Sequence, residues 1–257
     1  MSSDLRQKIA SAALILGFFL AWELLCRMLH VSDIVLPKPS QVLTTLVTRA
    51  PALWPHAVQT IYTTLLGFVL GVLSGLAIGV LIGSSRTAYG TAYPLLVGFS
   101  SIPKVAVVPI FVLWFGAGTV PAVLTSMVIC IFPIVVNVAT GLATTEPELE
   151  DVLKALGASK AEILWNVGLP RTLPYFFASL KVAITLAFVG TVLSETVAAN
   201  RGIGNVMMIA SSNFDVPLVF AGLIILAMLG VLLYLLFAWV EYRLCGWAMR
   251  KTDLAMG

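Results

Sequence analysis

Charge is what this chain has least of. Its 257 residues include 15 Lys or Arg and 12 Asp or Glu, about 11 % ionised side chains. A soluble chain of this length at the usual ~25 % would carry roughly 64. With 60 % hydrophobic residues and a mean hydropathy of +1.02, a soluble globular fold is excluded, and so is disorder. The apolar runs are continuous rather than alternating, which excludes a transmembrane β-barrel and leaves bilayer helices of roughly 20 residues each. A net charge of +3 is no footprint for nucleic acid. Histidine is nearly absent: His30 and His56 stand alone and read as interfacial. Cys26, Cys130 and Cys245 are odd in number, lack CxxC spacing and lie in or beside apolar segments, so they read as small buried hydrophobes. No GxxxxGK[ST], HExxH or GxSxG motif occurs. Leu73-Ser74-Gly75 lies inside an apolar run, out of reach of any nucleotide. The chain is therefore expected to be no enzyme, with no metal or cofactor of its own.

Six apolar segments predict six spans in an all-α membrane protein: about Ile9–Cys26, Ala57–Gly83, Pro94–Phe115, Val120–Leu142, Tyr175–Val197 and Pro217–Val240. The first follows Arg6 and Lys8 like a signal peptide but has no small-residue cleavage site, so it reads as a retained helix. Six spans put both termini on one side. Cytoplasmic termini place Arg6, Lys8, Arg86, Lys154, Lys160, Arg171, Arg243, Arg250 and Lys251 inside, against Arg27, Lys38, Arg49 and Arg201 outside. The positive-inside rule selects that orientation. The whole of 1–257 reads as one transmembrane domain, with external loops at 30–56 and 198–216 and a cytoplasmic loop at 145–174.

The second span carries Gly67, Gly71, Gly75, Gly79 and Gly83 at four-residue spacing. Lipid provides no hydrophobic drive for helix association, so a ridge of small residues predicts close packing on a neighbour. In the first external loop, Pro37, Pro39, Pro51 and Pro55 are expected to break the chain, with Ser40 capping a short helix over 41–48. In the second, Arg201-Gly202-Ile203-Gly204 precedes a potential helix at 205–211, and Asp215 is placed to cap the last span.

Eight charges fall between Thr145 and Pro174: Glu146, Glu148, Glu150, Asp151, Lys154, Lys160, Glu162 and Arg171. Thr145 with Glu148 and Ser159 with Glu162 form capping boxes. Leu149, Val152, Leu153 and Leu156 line one face of a three-turn helix, and Gly157 is placed to end it in the left-handed conformation. A second short helix is expected to reach about Val167 and to stop at Leu169-Pro170. The product is a helix–Gly–helix unit with an apolar ridge. That ridge either docks a soluble partner, folds back on its own helices or lies on lipid headgroups.

Glu23, Lys104, Lys181 and Glu195 sit at membrane depth, where ionisable groups are costly and point to function. Glu23 and Lys181 lie near span ends, where they can reach the interface. Glu195 suits either an interface or an outer gate. Lys104, between Pro103 and Pro109 where the helix must be irregular, either lines a path, snorkels or pairs across subunits. Asn137, Thr191 and Ser194 suit path lining and interhelical hydrogen bonds equally. Glu195 or Lys104 would also serve as a proton site in a self-contained, proton-coupled secondary transporter, although no paired broken helices are found.

Residues 151–170 resemble the EAA loop of ABC-importer permeases: EAA, three residues, Gly, nine residues, I-x-L-P. Asp151-Val152-Leu153 stands at EAA, Gly157 at the Gly, Val167 at the Ile and Leu169-Pro170 at the Leu-Pro; Asp replaces Glu, and Val-Leu replaces Ala-Ala. Pro103-Lys104-Val105-Ala106-Val107-Val108-Pro109 with Trp114-Phe115-Gly116, and Ser194-Glu195 with Gly202-Ile203-Gly204, are similar to stretches of the nitrate/sulfonate/taurine permease group. The resemblance covers roughly 36–235. It implies the type I ABC-importer permease fold in a bacterial inner membrane. It implies two permease copies, two ATPase subunits that hold ATP and Mg, and a periplasmic or lipid-anchored solute-binding protein. It implies coupling to the ATPase through Asp151, Val152, Leu153, Ala155, Gly157, Ala158, Leu169 and Pro170. By their depth and polarity, or by the broken helix at the prolines, Lys104, Pro109, Asn137, Thr191, Ser194 and Glu195 are the candidates for a translocation path, and the resemblance implies that its solute is a small organic or inorganic anion such as a sulfonate, taurine or nitrate.

Overall fold

The computed structural model describes residues 3–144 and 147–253, and there it is helical, with no strand. The expected Thr145–Glu148 capping box lies outside the described residues. In chain order the helices are α1 (Ser3–Met28), α2 (Pro39–Gly83), α3 (Arg86–Ser100), α4 (Val108–Phe115), α5 (Thr119–Ala143), α6 (Pro147–Ala155), α7 (Lys160–Ile163), α8 (Leu169–Ala198), α9 (Ile203–Ser212) and α10 (Val216–Asp253). Five are long and apolar enough to cross a membrane, and α3 with α4 makes a sixth, broken span bent by 79°.

The core is α2, α5 and α8 packed side by side, with α10 against α8 and α2 and α9 wedged between α8 and α10. The glycines of α2 meet α5 in a repeating register. A Cβ on Gly67 would lie 2.5 Å from that of Ser126, on Gly75 3.0 Å from Ile134, and on Gly79 and Gly83 2.8 Å from Val138 and Leu142; on Gly71 it would collide with the Cys130 sulfur. Steps of four on both helices keep one small-residue stripe against one row of side chains. Both numbers rise together, so α2 and α5 are parallel, the broken span having returned the chain between them. Helix α8 runs the other way: Gly190 packs on Ser126 and Gly141 on Thr172.

The 30–56 segment is not broken by its prolines. Helix α2 is continuous for 45 residues through Pro51 and Pro55. Each proline leaves the carbonyl four residues earlier without its partner, and these belong to Val47 and Pro51, which are exposed and open to other donors. Helix α2 starts at Pro39, at the first position where no N–H is needed. Ser40 is therefore not the cap. Its N–H and hydroxyl donate to the Glu23 carboxylate at 3.0 and 2.9 Å, and Glu23 also holds Arg27 at 2.7 Å. Glu23 is thus spent on joining α1 to α2. Asp33, just before α2, accepts from the Gln41 amide in the first turn of α2 at 2.7 Å, which with Lys38 holds its carboxyl below its ordinary range.

Lys181 forms an ion pair with Glu241 of α10, which is only 5 % exposed. Asp215 caps α10, accepting from the Leu218 N–H at 3.3 Å, and also pairs with Arg49 of α2 at 3.3 Å.

Candidate functional site

At one end of the bundle, α6 closes on Gly157 at φ +85°. The Gly157 N–H donates to the Lys154 carbonyl at 2.9 Å and the Ala158 N–H to the Leu153 carbonyl at 3.0 Å, the two bonds of a Schellman motif. Two residues on, Ser159 and Glu162 form a complete capping box: the Ser159 N–H donates to the Glu162 carboxylate at 2.7 Å, and the Glu162 N–H to the Ser159 hydroxyl at 3.3 Å. The turn between α6 and α7 is therefore hydrogen-bonded on both sides. Among the described residues nothing covers Val152 and Leu156 of the ridge. Val152 is 58 % and Leu156 77 % exposed, and Trp165 joins them at 70 %. The unit stands on the bundle through Ile163, which is buried, and through Gly168, which packs on Leu142.

Leu169-Pro170 does not stop the second helix. A π turn at Leu164–Gly168 shifts the hydrogen bonds by one residue, so that the Leu169 N–H donates to the Leu164 carbonyl and Pro170 enters in the first turn of α8. In a shifted ladder the missing N–H of proline is accommodated. The result is one continuous helical rod from Lys160 to Ala198.

The other end of that rod carries a buried polar knot. Glu195 is 2 % exposed. One of its oxygens accepts from the Thr60 hydroxyl at 2.9 Å and from the Gly204 N–H at 3.0 Å. Thr60 in turn accepts from the Ile203 N–H at 3.0 Å, and the His56 ring accepts from the Gly202 N–H at 3.2 Å. Beside the knot lies a cavity of about 360 Å³ between α2, the start of α5 and the end of α8, lined by Gln59, Thr63, Thr119, Glu195, Asn200 and Arg201 among others.

The other path candidates are not gathered there. Lys104 lies in a 3₁₀ turn (Lys104–Val107), where it donates to the Ser100 carbonyl at the end of α3 at 3.0 Å and sits 5.0 Å above the Phe132 ring. Phe132 is ten residues further along α5 than Ala122 of the cavity wall, about 15 Å at 1.5 Å per residue. Pro109 is exposed in the first turn of α4. Asn137 donates to the Pro133 carbonyl of its own helix at 2.8 Å. Thr191 and Ser194 are fully buried on α8, the Thr191 hydroxyl without a hydrogen-bond partner among the described residues. Sequence reasoning passed over Gln59, Thr60 and Thr63 and read His56 only as interfacial. The available signal was a run of polar residues, Gln59-Thr60 and Thr63-Thr64, inside an otherwise apolar span.

The model of a family described as the binding-protein-dependent transport system inner membrane component matches residues 67–245. The chain is 30 % identical over 246 residues to the formylaminopyrimidine transport permease protein ThiX of Halalkalibacterium halodurans, covering 95 % of this chain and 98 % of that one. It is 28 % identical over 249 residues to the taurine transport system permease protein TauC of Escherichia coli, covering 94 % and 90 %. Among solved structures, an inward facing conformation of the MetNI methionine ABC transporter matches with a TM-score of 0.65 at 20 % identity, over 76 % of this chain and 97 % of that one. At that identity the likeness concerns the fold.

Proposed function

The chain belongs to the binding-protein-dependent transport system inner membrane component family, and from that premise we propose how this subunit couples ATP hydrolysis to solute passage. It is a membrane permease subunit of an ABC importer and not itself the catalyst; the ATPase is a separate subunit. Its partners are two ATPase subunits that carry ATP and Mg, a second copy of this chain, and an external solute-binding protein. It works in a bacterial inner membrane with both termini cytoplasmic, so that the Gly157 end faces the ATPase and the Glu195 end faces out. The cargo is a small organic or inorganic anion of the sulfonate, taurine or nitrate class, a reading supported by the likeness to the taurine permease.

One observation supports this mechanism above others: the helical rod Lys160–Ala198 of 39 residues, about 58 Å at 1.5 Å per residue. The α6–Gly157–α7 unit offers uncovered Val152 and Leu156 for an ATPase groove, and its two capping motifs keep it from yielding when pushed. Closure of the ATPases on ATP moves the unit. Because the unit continues without a break into α8, that movement reaches the Glu195 knot at the far end. Asp151, Val152, Leu153, Ala155 and Ala158 form the contact, while Gly157, Leu169 and Pro170 set its geometry. Among the described residues Val152 and Leu156 of the ridge have no cover, and membership of this family supplies one; a self-contained transporter would leave them bare.

The test is purification of the tagged chain in mild detergent from its own cells. The expected result is an ATPase with a GxxxxGK[ST] loop in equal amount. The Leu156→Asp variant should insert in the membrane yet lose the ATPase. Wild-type chain that purifies without any such subunit overturns the reading.

A further inference from the structure

The outer cavity has a chemistry that follows from how its hydrogen bonds are spent. Gln59 Nε2 donates to the Thr63 hydroxyl at 3.1 Å and to the Thr119 hydroxyl at 3.3 Å. Both oxygens are therefore occupied as acceptors, and no bond within the described residues uses either hydroxyl hydrogen. Each hydroxyl carries one hydrogen that must point away from the Gln59 amide. Thr63 is 1 % exposed, so this donor is built into the wall and is not a surface group. Arg201 stands at the same cavity, exposed and without an ion pair among the described residues. The one carboxylate in the lining offers little in return. One oxygen of Glu195 already accepts two hydrogen bonds, and the other is sealed from solvent beneath Gly202. The cavity thus presents two hydroxyl donors and a guanidinium, with its acidic group withdrawn.

We infer that this cavity is an oxyanion subsite, in which Thr63, Thr119 and Arg201 receive the acidic head of the solute on the external side. Guanidinium and hydroxyl donors lining one cavity suit a sulfonate, carboxylate or phosphate group. A volume of about 360 Å³ is at the small end of ligand sites. Gly118 fixes the wall: at φ +142° its N–H donates to the Ala198 carbonyl at 2.9 Å, tying the start of α5 to the end of α8. The site therefore opens or tightens when α8 moves against α5. The inference rests on the proposed orientation, which makes this end external.

The test uses Ala199→Cys, which puts a thiol on the cavity wall without removing a donor, in right-side-out vesicles from cells that make the whole importer. Labelling by a membrane-impermeant maleimide is followed, with the rate for the parent chain subtracted. Sodium methanesulfonate should slow labelling, and tetramethylammonium chloride at equal ionic strength should not. In the Ala199→Cys background, Thr63→Val and Arg201→Gln should each raise the methanesulfonate concentration needed by about tenfold, the effect of one lost charge-assisted or buried hydrogen bond. Absence of protection, equal protection by the cation, or protection indifferent to Thr63→Val overturns the subsite. Labelling of the Ala199→Cys variant confined to inside-out vesicles instead overturns the orientation, and the subsite with it.

Discussion

Gly202 lies directly over Glu195. A Cβ on Gly202 would occupy the space of the carboxyl group, and the residue holds φ +118°, a conformation that side chains rarely adopt. The lid of the buried carboxylate is thus a backbone that only glycine can form.

Gly202→Ala is expected to be a specific lesion. Strain of roughly 1–3 kcal/mol adds to the collision, and the 199–204 segment must lift from Thr60 and Glu195. The measurement is the reaction of a thiol at Asn205→Cys with an impermeant maleimide, which should quicken severalfold while the amount of inserted protein stays unchanged. An unchanged rate would show that Gly202 does not hold the lid.

The α2–α5 seam predicts that the cost of enlarging a glycine depends on whether it lies in the seam. Gly71→Leu must displace Cys130 and should destabilise the chain by about 1–3 kcal/mol or more, as overpacking does. Gly17→Leu on α1, where no atom lies within 4 Å of an added Cβ, should leave stability unchanged. Thermal unfolding in detergent compares the two, and equal midpoints would contradict the register described above.

Lys181 and Glu241 form an ion pair between α8 and α10 in which the acid is nearly sealed. Removing one partner strands the other, so Lys181→Met alone should cost about 3–5 kcal/mol. The double variant Lys181→Met with Glu241→Leu should recover most of it. A double variant no better than the single one would show that the pair is not coupled.

At the other end of the rod, Gly157 holds φ +85° with open space around it. Gly157→Val meets no clash and acts only through the backbone, unwinding the Schellman turn that sets α6 against α7. The expected outcome is normal insertion with at least a tenfold loss, about 1.4 kcal/mol, in ATPase association. Retention of full association would remove the turn from the coupling path.

Much of this was legible in the sequence where the determinant is local. The Gly157 turn and the Ser159–Glu162 box follow from residues within six positions of one another, and both occur as their spacing predicts. The broken third span is legible in Pro103 and Pro109. Local rules failed where context changed the meaning of a proline. Pro51 and Pro55 sit in a helix whose freed carbonyls face outward, and Pro170 follows a π turn that had already shifted the ladder.

Hydropathy and charge by themselves determined that the chain is a helical membrane protein, where its apolar runs lie, and which polar segment stands apart from them. Those properties sum over neighbours in sequence, and the bilayer and the helix period read them directly. Only the tertiary structure decided what the buried polar groups do. Thr60 and Glu195 are 135 residues apart and meet at 2.9 Å; Lys181 finds Glu241, and Gln59 finds Thr119. A lone ionisable residue in an apolar run announces that it needs a partner, because leaving it bare in lipid is too costly. Which partner it finds depends on helix packing, and in this chain a stripe of glycines on α2 sets that packing by letting α5 approach closely.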